Sequence, residues 1–276
     1  MARRRDFAGR IVIVTGGGSG LGAAYARRFA RAGAKLALLD VDLERAEQLG
    51  AELERNGTEW LALRCDVRDE SACREAVAAV VARFGGVDVL VNNAGITHRS
   101  AFAETETAVY RRVMDVNFFG SLHCTKAALP ALLAGRGLVI AISSIAGVAP
   151  LYGRTGYSAS KHAVQGFFSS LRSEMAPLGV DVLIVCPGFT ATGIASAALD
   201  GDGSATSHPQ STVGAVATPE SVAEAVFRAA SAGRSLLVLS AAGKAAFLLS
   251  RLWPALYDRL MARSLRKELA RTRAPQ

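Results

Sequence analysis

The sequence has few of the features that mark secreted, metal-dependent or membrane-spanning proteins. Its 276 residues include four cysteines without a C-x-x-C pair and four histidines without the spacing of metal ligands. These patterns predict neither a disulfide framework nor a metal site. The longest apolar runs, such as "LVIAISSIAGVAPL", are too short to cross a bilayer, and no apolar segment typical of a secretory signal follows the N-terminus. We therefore expect a metal-free, cytoplasmic protein.

Positive charge is concentrated near the ends of the chain. The net charge is +8, and residues 251–276 contain seven Lys or Arg against two acidic residues. Aromatic residues make up 7% of the sequence and are not interleaved with the basic ones, as a nucleic-acid platform would require. Nucleic acid is therefore not an expected partner.

Seven short apolar runs alternate with helical patterns along the chain. The runs are "RIVIVTG", "KLALLD", "WLALRCD", "VDVLVNNAG", "GLVIAISS", "VDVLIVCPG" and "SLLVLS". Continuous apolar strands separated by helices are typical of a parallel sheet covered on both faces. The pattern predicts an α/β fold with a single doubly wound parallel sheet of about seven strands, Rossmann-type, and a helical C-terminal extension. We interpret residues 1–276 as one domain, with 189–217 as a substrate lid and 243–276 as a helical basic tail.

A glycine-rich turn follows the first predicted strand. In "TGGGSGLG", the residues Gly16, Gly20 and Gly22 stand between a strand and a helix. Without Cβ atoms, such a turn can bring a pyrophosphate against backbone amides at the positive helix N-terminus. The spacing is one residue longer than the more familiar dinucleotide fingerprint. The turn predicts a dinucleotide site.

Acidic residues at the ends of the next two predicted strands refine that site. Asp40 can accept hydrogen bonds from an adenosine ribose and repels a 2′-phosphate, and its neighbours Ser19 and Val41 are uncharged. These residues favour NAD over NADP. Asp66 is placed to meet the adenine amino group, with a helix cap near Asp69 as the alternative interpretation.

Tyr157 and Lys161 stand four positions apart in "GYSASKHAVQG". Residues at this spacing share one face of a helix, so the ammonium can lie beside the phenol. The pair alone is common on unrelated helix surfaces. Its meaning depends on the other motifs of the chain.

Together with "TGGGSGLG", "NNAG" and "PGFTAT", the segment "YSASK" preceded by "SS" resembles the short-chain dehydrogenase/reductase family. The resemblance covers residues 11–192 and implies a catalytic tetrad of Asn117, Ser144, Tyr157 and Lys161. Ser144 is preferred to Ser143 because it keeps the family's thirteen-residue spacing to Tyr157.

The resemblance also implies a role for each member of the tetrad. Tyr157 would be the general acid and base, its pKa lowered from about 10 by Lys161 and the positive nicotinamide of the oxidised cofactor. Ser144 would donate a hydrogen bond to the substrate oxygen, and Lys161 would also bind ribose hydroxyls. Asn117 would hold a water through a local helix break.

The expected cofactor is NAD, and the resemblance extends its site to further strand ends. The "NNAG" motif would line the cleft, and "PGFTAT" would seat the nicotinamide. The cofactor-binding residues expected in total are Gly16, Ser19, Gly20, Leu21, Gly22, Asp40, Asp66, Val67, Asn93, Ala94, Gly95, Tyr157, Lys161, Pro187, Gly188, Phe189 and Thr192.

Residues 189–217 contain no Arg or Lys, which favours an uncharged, largely apolar alcohol or ketone, such as a steroid-like, terpenoid or long-chain compound. We therefore expect an NAD-dependent oxidoreductase that interconverts a secondary alcohol and a ketone. A non-catalytic NAD-binding regulator and an epimerase or dehydratase are the alternatives. A homodimer or homotetramer is also expected, although the Asp-Gly-Gly segment that ends many compact members of the family is missing.

The C-terminal tail has apolar residues at helical intervals, and Pro254 is expected to break or start a helix there. The apolar residues are Leu249, Leu252, Leu256 and Leu260, and the basic row on another face is Arg259, Arg263 and Lys267. One interpretation is a tail docked on its own cleft or on a partner subunit. The other is a peripheral contact with a membrane surface.

Three residues near the motifs have less specific interpretations. His98 could reach the substrate rim, His162 is expected at the surface, and Ser143 is expected to pack or bond locally.

Overall fold

The computed structural model describes residues 4–206, 212, 215–239 and 241–269, without the side chains of 241 and 265–269. Residues 207–211 and 213–214 of the predicted lid, residues 270–276 of the predicted tail and the side chain of Lys267 lie outside this description.

The described strands form one parallel sheet in the order β3-β2-β1-β4-β5-β6-β7. The strands are β1 (Ile11–Thr15), β2 (Lys35–Asp40), β3 (Trp60–Arg64), β4 (Val89–Asn92), β5 (Leu138–Ile142), β6 (Asp181–Cys186) and β7 (Leu236–Val238). Val14 of β1 lies opposite Leu38 of β2 and Val91 of β4. The predicted doubly wound, seven-stranded sheet is confirmed.

Helices cover both faces of the sheet. They are α1 (Gly20–Ala30), α2 (Leu43–Glu54), α3 (Glu70–Phe84), α4 (Thr107–Met114), α5 (Gly120–Gly135), α6 (Thr155–Met175), α7 (Pro219–Ser231), α8 (Ala241–Leu252) and α9 (Pro254–Leu269). Buried residues of α1, α2 and α7 form one core cluster with the sheet, and those of α3, α5 and α6 form a second cluster.

The alternation along β1 shows how the strands serve both layers. Val12 and Val14 belong to the first cluster, whereas Ile13 between them belongs to the second. Successive side chains of a strand point to opposite faces, so an apolar residue is needed at every position. Complete burial of such a side chain contributes about 1.5 to 3 kcal/mol. The uninterrupted apolar runs of the sequence follow from this requirement.

The helical stretch between β4 and β5 is interrupted in the structure. It begins at Thr107, ends at Gly135, and contains a five-residue π-helical turn, Asp115–Phe119, between α4 and α5. The turn contains Asn117, which is 1% exposed and directs its amide group inward. π turns often occur where a helix presents a functional side chain.

The C-terminal tail folds as two helices separated at Trp253. The first ends at Leu252 and the second begins at Pro254, as expected for a residue that cannot donate a backbone hydrogen bond. In the described part of the chain, none of the helices combines the length and apolar character needed to span a bilayer.

One side of this tail contacts the rest of the chain. The Ser250 hydroxyl donates to the Val148 carbonyl at 3.1 Å, and the Tyr257 hydroxyl donates to the Pro150 carbonyl at 2.8 Å. Phe247 packs against the second core cluster. These contacts place α8 and the start of α9 against the loop that follows β5.

Candidate active site

A cavity of about 540 Å³ lies along the carboxyl ends of the strands. The loops after the first six strands contribute to its wall, together with the first turns of α6. Ligands of open α/β sheets bind at this edge. Of the catalytic and cofactor residues predicted from sequence, all line the cavity except Gly22 and Asn117.

The glycine-rich turn has a shape that only glycine allows. Gly16 and Gly20 have φ angles of +61° and +52°, in the left-handed region. A Cβ on Gly22 would lie 1.9 Å from the Gly16 carbonyl oxygen, so Gly22 permits close packing of the turn without lining the cavity. The first turn of α1 carries no acidic side chain. This positive helix end and open turn fit a pyrophosphate.

Thr15 connects this turn to the "NNAG" segment. Its hydroxyl accepts hydrogen bonds from the backbone N–H groups of Asn93 and Ala94, both at 3.0 Å. The Asn93 side-chain amide donates to the carbonyls of Thr15 at 2.9 Å and Gly16 at 3.2 Å. Sequence analysis missed Thr15, although its polar side chain at the end of an apolar strand is a recognisable signal.

A carboxylate at the end of β2 and a cation in the first turn of α2 line the same part of the cavity. Asp40 accepts a hydrogen bond from the Gly18 N–H at 2.8 Å. Arg45, which the sequence analysis did not consider, also lines the cavity and forms an ion pair with Asp42 at 3.1 Å. The uncharged neighbours of Asp40 favour NAD, whereas Arg45 adds a positive group to the same part of the cavity.

Asp66 does not cap the following helix. Its carboxylate pairs with Arg68 at 2.6 Å, and hydrogen bonding from this guanidinium lowers the pKa of Asp66. Asp69 instead accepts hydrogen bonds from the N–H groups of Ser71 and Ala72 at the start of α3. The alternative interpretation of Asp66 as a helix cap is therefore wrong.

Lys161 is 4% exposed and donates through Nζ to the Ile142 carbonyl at 2.9 Å. Burial lowers the pKa of Lys161 to about 8. Its Nζ lies 5.8 Å from the centre of the Tyr157 ring. The Ser143 hydroxyl donates to the Lys161 backbone carbonyl at 3.0 Å, which is a local bond.

Burial is the largest influence on Tyr157 and raises the pKa of its phenol. A hydrogen bond with the Ser144 side chain and the positive charge of Arg154 act in the opposite direction. We expected Lys161 to lower this pKa. That expectation concerns the protein with the oxidised nicotinamide bound and stays a prediction, whereas for the protein alone burial has the largest effect on the phenol.

Asn117 lies behind the cavity wall. Its Oδ1 accepts from the Ile96 N–H at 2.8 Å, and its Nδ2 donates to the Ile96 carbonyl at 3.0 Å and to the Ser160 hydroxyl at 2.9 Å. A Cβ on Gly95 would lie 3.2 Å from Asn117 Oδ1 and 3.5 Å from Lys161 Nζ. The two tetrad members thus flank the same glycine.

His98 does not reach the cavity. Its side chain is fully buried, packs edge-on against Tyr110 with 5.5 Å between ring centres, and burial lowers its pKa to about 4. Neither ring nitrogen has a hydrogen-bond partner among the described residues. His162 is exposed, and no three His, Cys, Asp or Glu side chains in the described ranges come together as a metal site.

Two buried arginines, which were not predicted from the sequence, line the cavity. Arg99 and Arg154 are 3% and 4% exposed. Residues 189–217 contain no Arg or Lys, whereas these arginines come from the loop after β4 and from the residue before α6. Arg99 stands four residues after Gly95, and Arg154 stands three residues before Tyr157. This closeness to predicted site residues could have identified both.

Residues 10–202 match the family model described as short chain dehydrogenase. The dehydrogenase/reductase SDR family member 7B of Xenopus laevis is 41% identical over 201 residues, which cover 70% of this chain and 62% of the relative. The chain therefore spans less than two thirds of that protein's length. The 2,5-dichloro-2,5-cyclohexadiene-1,4-diol dehydrogenase LinX of Sphingobium indicum is 39% identical over 189 residues, 68% of this chain and 75% of the relative.

Solved structures show the same architecture. A short chain dehydrogenase/reductase from Burkholderia phymatum in complex with NAD has a TM-score of 0.82 and 26% identity, covering 91% of this chain and 96% of the other. An alcohol dehydrogenase from Thermococcus sibiricus complexed with 5-hydroxy-NADP has a TM-score of 0.72 and 26% identity, covering 83% and 95%. With its motifs, its sheet and these matches, the chain belongs to the short-chain dehydrogenase/reductase family of oxidoreductases.

Proposed function

We propose that the protein is an NAD-dependent oxidoreductase that interconverts a secondary alcohol and a ketone. The observation that carries this proposal is the shared cavity: Ser144, Tyr157 and Lys161 line the same cleft as the glycine-rich turn and Asp40. A proton-transfer group and a dinucleotide cradle in one cavity are what a hydride-transfer reaction requires.

When bound, the nicotinamide ring of the dinucleotide supplies or accepts the hydride. Tyr157 exchanges a proton with the substrate oxygen, and Ser144 donates a hydrogen bond to that oxygen. Burial favours the protonated phenol, which suits proton donation to a ketone. A pKa of about 8 leaves Lys161 mainly protonated at neutral pH, so it can donate to ribose hydroxyls. Asn117 holds a water in this proposal and connects Lys161 to solvent.

The cofactor contacts follow the strand ends. In this proposal the glycine-rich turn holds the pyrophosphate, Asp40 the adenosine ribose and Asp66 the adenine amino group. The "NNAG" and "PGFTAT" segments hold the nicotinamide half. The Asp40 carboxylate favours NAD because it repels a 2′-phosphate. Known structures of the family contain NAD in one case and an NADP derivative in another, so this preference needs a direct test.

An apolar substrate body agrees with the cavity wall. Leu151, Ile194 and Ala197 line the cavity beside the Tyr157 end of α6 and in the proposed lid. The Sphingobium relative is named for dehydrogenation of a chlorinated cyclohexadiene diol, which supports a secondary alcohol as the substrate class.

A screen of secondary alcohols with NAD, and of the matching ketones with NADH, tests the proposal through absorbance of the reduced nicotinamide. Release of NADH into solution distinguishes a dehydrogenase from an epimerase, which retains its cofactor. Binding of NAD without turnover of any compound would instead favour the non-catalytic regulator.

We also propose that the tail contacts a membrane surface and that the protein is a homodimer or homotetramer. The side of α8 and α9 that faces away from the rest of the chain exposes several large apolar side chains: Leu248, Leu252, Trp253, Leu256 and Leu260. Arg251, Arg259 and Arg263 are exposed on the same helices. An apolar patch with Trp and flanking arginines is typical of helices that lie in an anionic lipid interface.

Co-sedimentation with anionic and neutral vesicles tests the membrane contact. We expect salt-sensitive pelleting with anionic vesicles, lost when Leu252, Trp253 and Leu256 are all replaced by Ser and when the chain ends at Gly243. Leu178→Ser, which changes an exposed leucine elsewhere, is the control and should leave pelleting unchanged. Sedimentation velocity of the same proteins reports the oligomeric state. If no form pellets but the triple variant changes in oligomeric size, the tail is a subunit contact.

A further inference from the structure

We propose that Tyr257 of the C-terminal tail is a positioning residue for the substrate. Its hydroxyl holds the peptide group between Pro150 and Leu151, and this peptide places Leu151 in the cavity wall. The proposal rests on the oxidoreductase function proposed above, and it makes the tail part of the structure that selects an apolar substrate.

Tyr257 faces the rest of the chain from the inner side of α9. Among side chains 254–264, the part of α9 whose side chains the structure describes, Tyr257 is the buried one, with 5% exposure. Its hydroxyl donates to the Pro150 carbonyl at 2.8 Å, and burial raises the pKa of this phenol to about 12. The phenol therefore keeps its proton at neutral pH and remains a donor to this carbonyl.

The peptide group that Tyr257 holds has a second partner on its other side. The Leu151 N–H donates to the Ser158 hydroxyl oxygen at 3.2 Å. The Pro150 carbonyl and the Leu151 N–H belong to one planar peptide unit, so a hydrogen bond on each side fixes the orientation of that unit. Ser158 is 5% exposed and directly follows Tyr157 in α6. The tail and the helix of the catalytic tyrosine therefore hold the same peptide group.

Further hydrogen bonds hold the loop between β5 and α6 on either side of this peptide. The Ser250 hydroxyl of α8 donates to the Val148 carbonyl at 3.1 Å. The Ser100 N–H, from the loop after β4, donates to the Gly153 carbonyl at 3.2 Å. Leu151 lies between these two points, so its position depends on the tail as well as on the body of the domain.

Leu151 is the apolar side chain that segment 148–154 contributes to the cavity wall. It is partly buried and lines the cavity together with Tyr157 and Ile194. The free energy of such a contact grows with the apolar area that the substrate buries, so a long substrate depends on it more than a short one. In the proposed function NAD is held at the strand ends, so its affinity should not depend on Leu151.

Two methyl ketones of different length test the proposal. Butanone and octan-2-one are assayed with NADH, and the ratio of kcat/KM for octan-2-one to that for butanone measures the contact of the longer apolar body with the wall. Tyr257→Phe keeps the ring and removes the hydroxyl. We expect it to lower this ratio by about threefold to tenfold, the range for one neutral hydrogen bond, through a higher KM for octan-2-one. The kcat for octan-2-one and the affinity for NAD should change little.

Ser264→Ala is the matched control, because it also removes a hydroxyl from α9. The Ser264 hydroxyl donates to the Leu260 carbonyl of the same helix at 2.9 Å, so its loss should leave the ratio unchanged. In a Leu151→Ala background, Tyr257→Phe should no longer change the ratio, since the side chain through which it acts is gone. An unchanged ratio in the single variant, or an equal fall in both backgrounds, would overturn the proposal.

Hydrogen exchange at the Leu151 amide gives a readout that does not need turnover. We expect Tyr257→Phe to speed this exchange by about threefold or more, whereas Ser264→Ala should not. Turnover of no ketone means that the proposed function fails, and the exchange rates then decide the positioning role. Equal rates in the parent and in Tyr257→Phe overturn it.

Thermal unfolding shows whether Tyr257→Phe is folded. If it is not, Ser158→Ala, which removes the other partner of the same peptide group, takes its place in both assays. The same fall in the ketone ratio and the same faster exchange are expected, and the absence of both would overturn the proposal.

Discussion

The two ends of the cavity are built differently. Along the part of the wall that we assign to the dinucleotide, backbone groups and short side chains form the surface: the turn at Gly16, the hydroxyl of Thr15 and the amide of Asn93 bond to one another. At the substrate end, long side chains from separate segments line the wall, with Arg99 from the loop after β4 and Arg154 from the residue before α6. A site made from backbone at strand ends appears in the sequence as a local motif. A site made from distant side chains does not.

The proton-transfer group of the substrate end offers the sharpest test. Tyr157→Phe removes the hydroxyl but little of the cofactor surface, so we expect turnover to fall by about a thousandfold, within the range for general acid–base catalysis. NAD affinity should change little. Steady-state kinetics and calorimetric titration of NAD measure the two effects. Tyr152→Phe, the same change on an exposed tyrosine that does not line the cavity, is the control. Activity within tenfold of the parent would contradict the mechanism.

Lys161 belongs to both ends, so its loss should affect both. We expect Lys161→Ala to lower kcat by about a hundredfold and to weaken NAD binding by about tenfold, because one ammonium serves the phenol and the ribose. Lys126→Ala, which removes an exposed lysine of α5, should resemble the parent in both assays. A variant with normal NAD affinity and a reduced rate would show that Lys161 has no role at the cofactor.

Asp40, at the adenosine end of the cavity, is expected to determine the choice between NAD and NADP. The parent should prefer NAD to NADP by about an order of magnitude or more in kcat/KM, since Asp40 repels a 2′-phosphate, and Asp40→Ala should narrow this difference. Glu44→Ala removes a nearby exposed carboxylate of α2 that does not line the cavity, and it should preserve the ratio. An NADP preference in the parent would mean that Arg45 outweighs Asp40.

The last prediction concerns the pH dependence of protein stability, which we attribute to His98. The pKa of His98 is about 4 in the folded protein, below its ordinary value near 6.5, because the ring is buried and Arg154 adds to that effect, whereas Asp200 opposes it. Between these values the unfolded chain binds more protons, so the folded state loses stability as pH falls from about 6.5 to 4. Over this pH range we expect the free energy of unfolding of the His98→Phe variant to fall by about 2 to 3 kcal/mol less than that of the parent.

Urea unfolding at pH 7 and pH 4.5 measures this difference. His162→Phe, a change at an exposed histidine of α6, provides the control and should keep the acid sensitivity of the parent. Equal sensitivity of the parent and His98→Phe would show that burial of His98 does not govern acid stability.

The seven strands could be predicted because a buried parallel strand needs apolar residues at every position, which leaves a clear pattern. Ser144 was predicted from the family resemblance and its spacing to Tyr157, and the four-residue spacing placed Tyr157 and Lys161 on one helix face. All three line the same cavity. Arg99 and Arg154 could not be predicted in the same way. Their presence in one cavity depends on the tertiary fold, which brings the loop after β4 and the residue before α6 to the same cleft. The ion pair of Asp66 with Arg68 likewise depends on side-chain conformation, and no periodic pattern in the sequence reports that conformation.

The π turn Asp115–Phe119 changes the direction in which the side chains of α5 point around the helix axis, relative to those of α4. Each residue of an α-helix advances about 100° around the axis, so the wider turn shifts α5 out of phase with α4. The first half of the stretch can therefore face α6, and the second half can face α3. Removing one residue from the turn would restore a single phase, rotate one half away from its partner and withdraw Asn117 from the Ile96 backbone. A one-residue deletion here would thus disturb packing on two sides of the molecule at once.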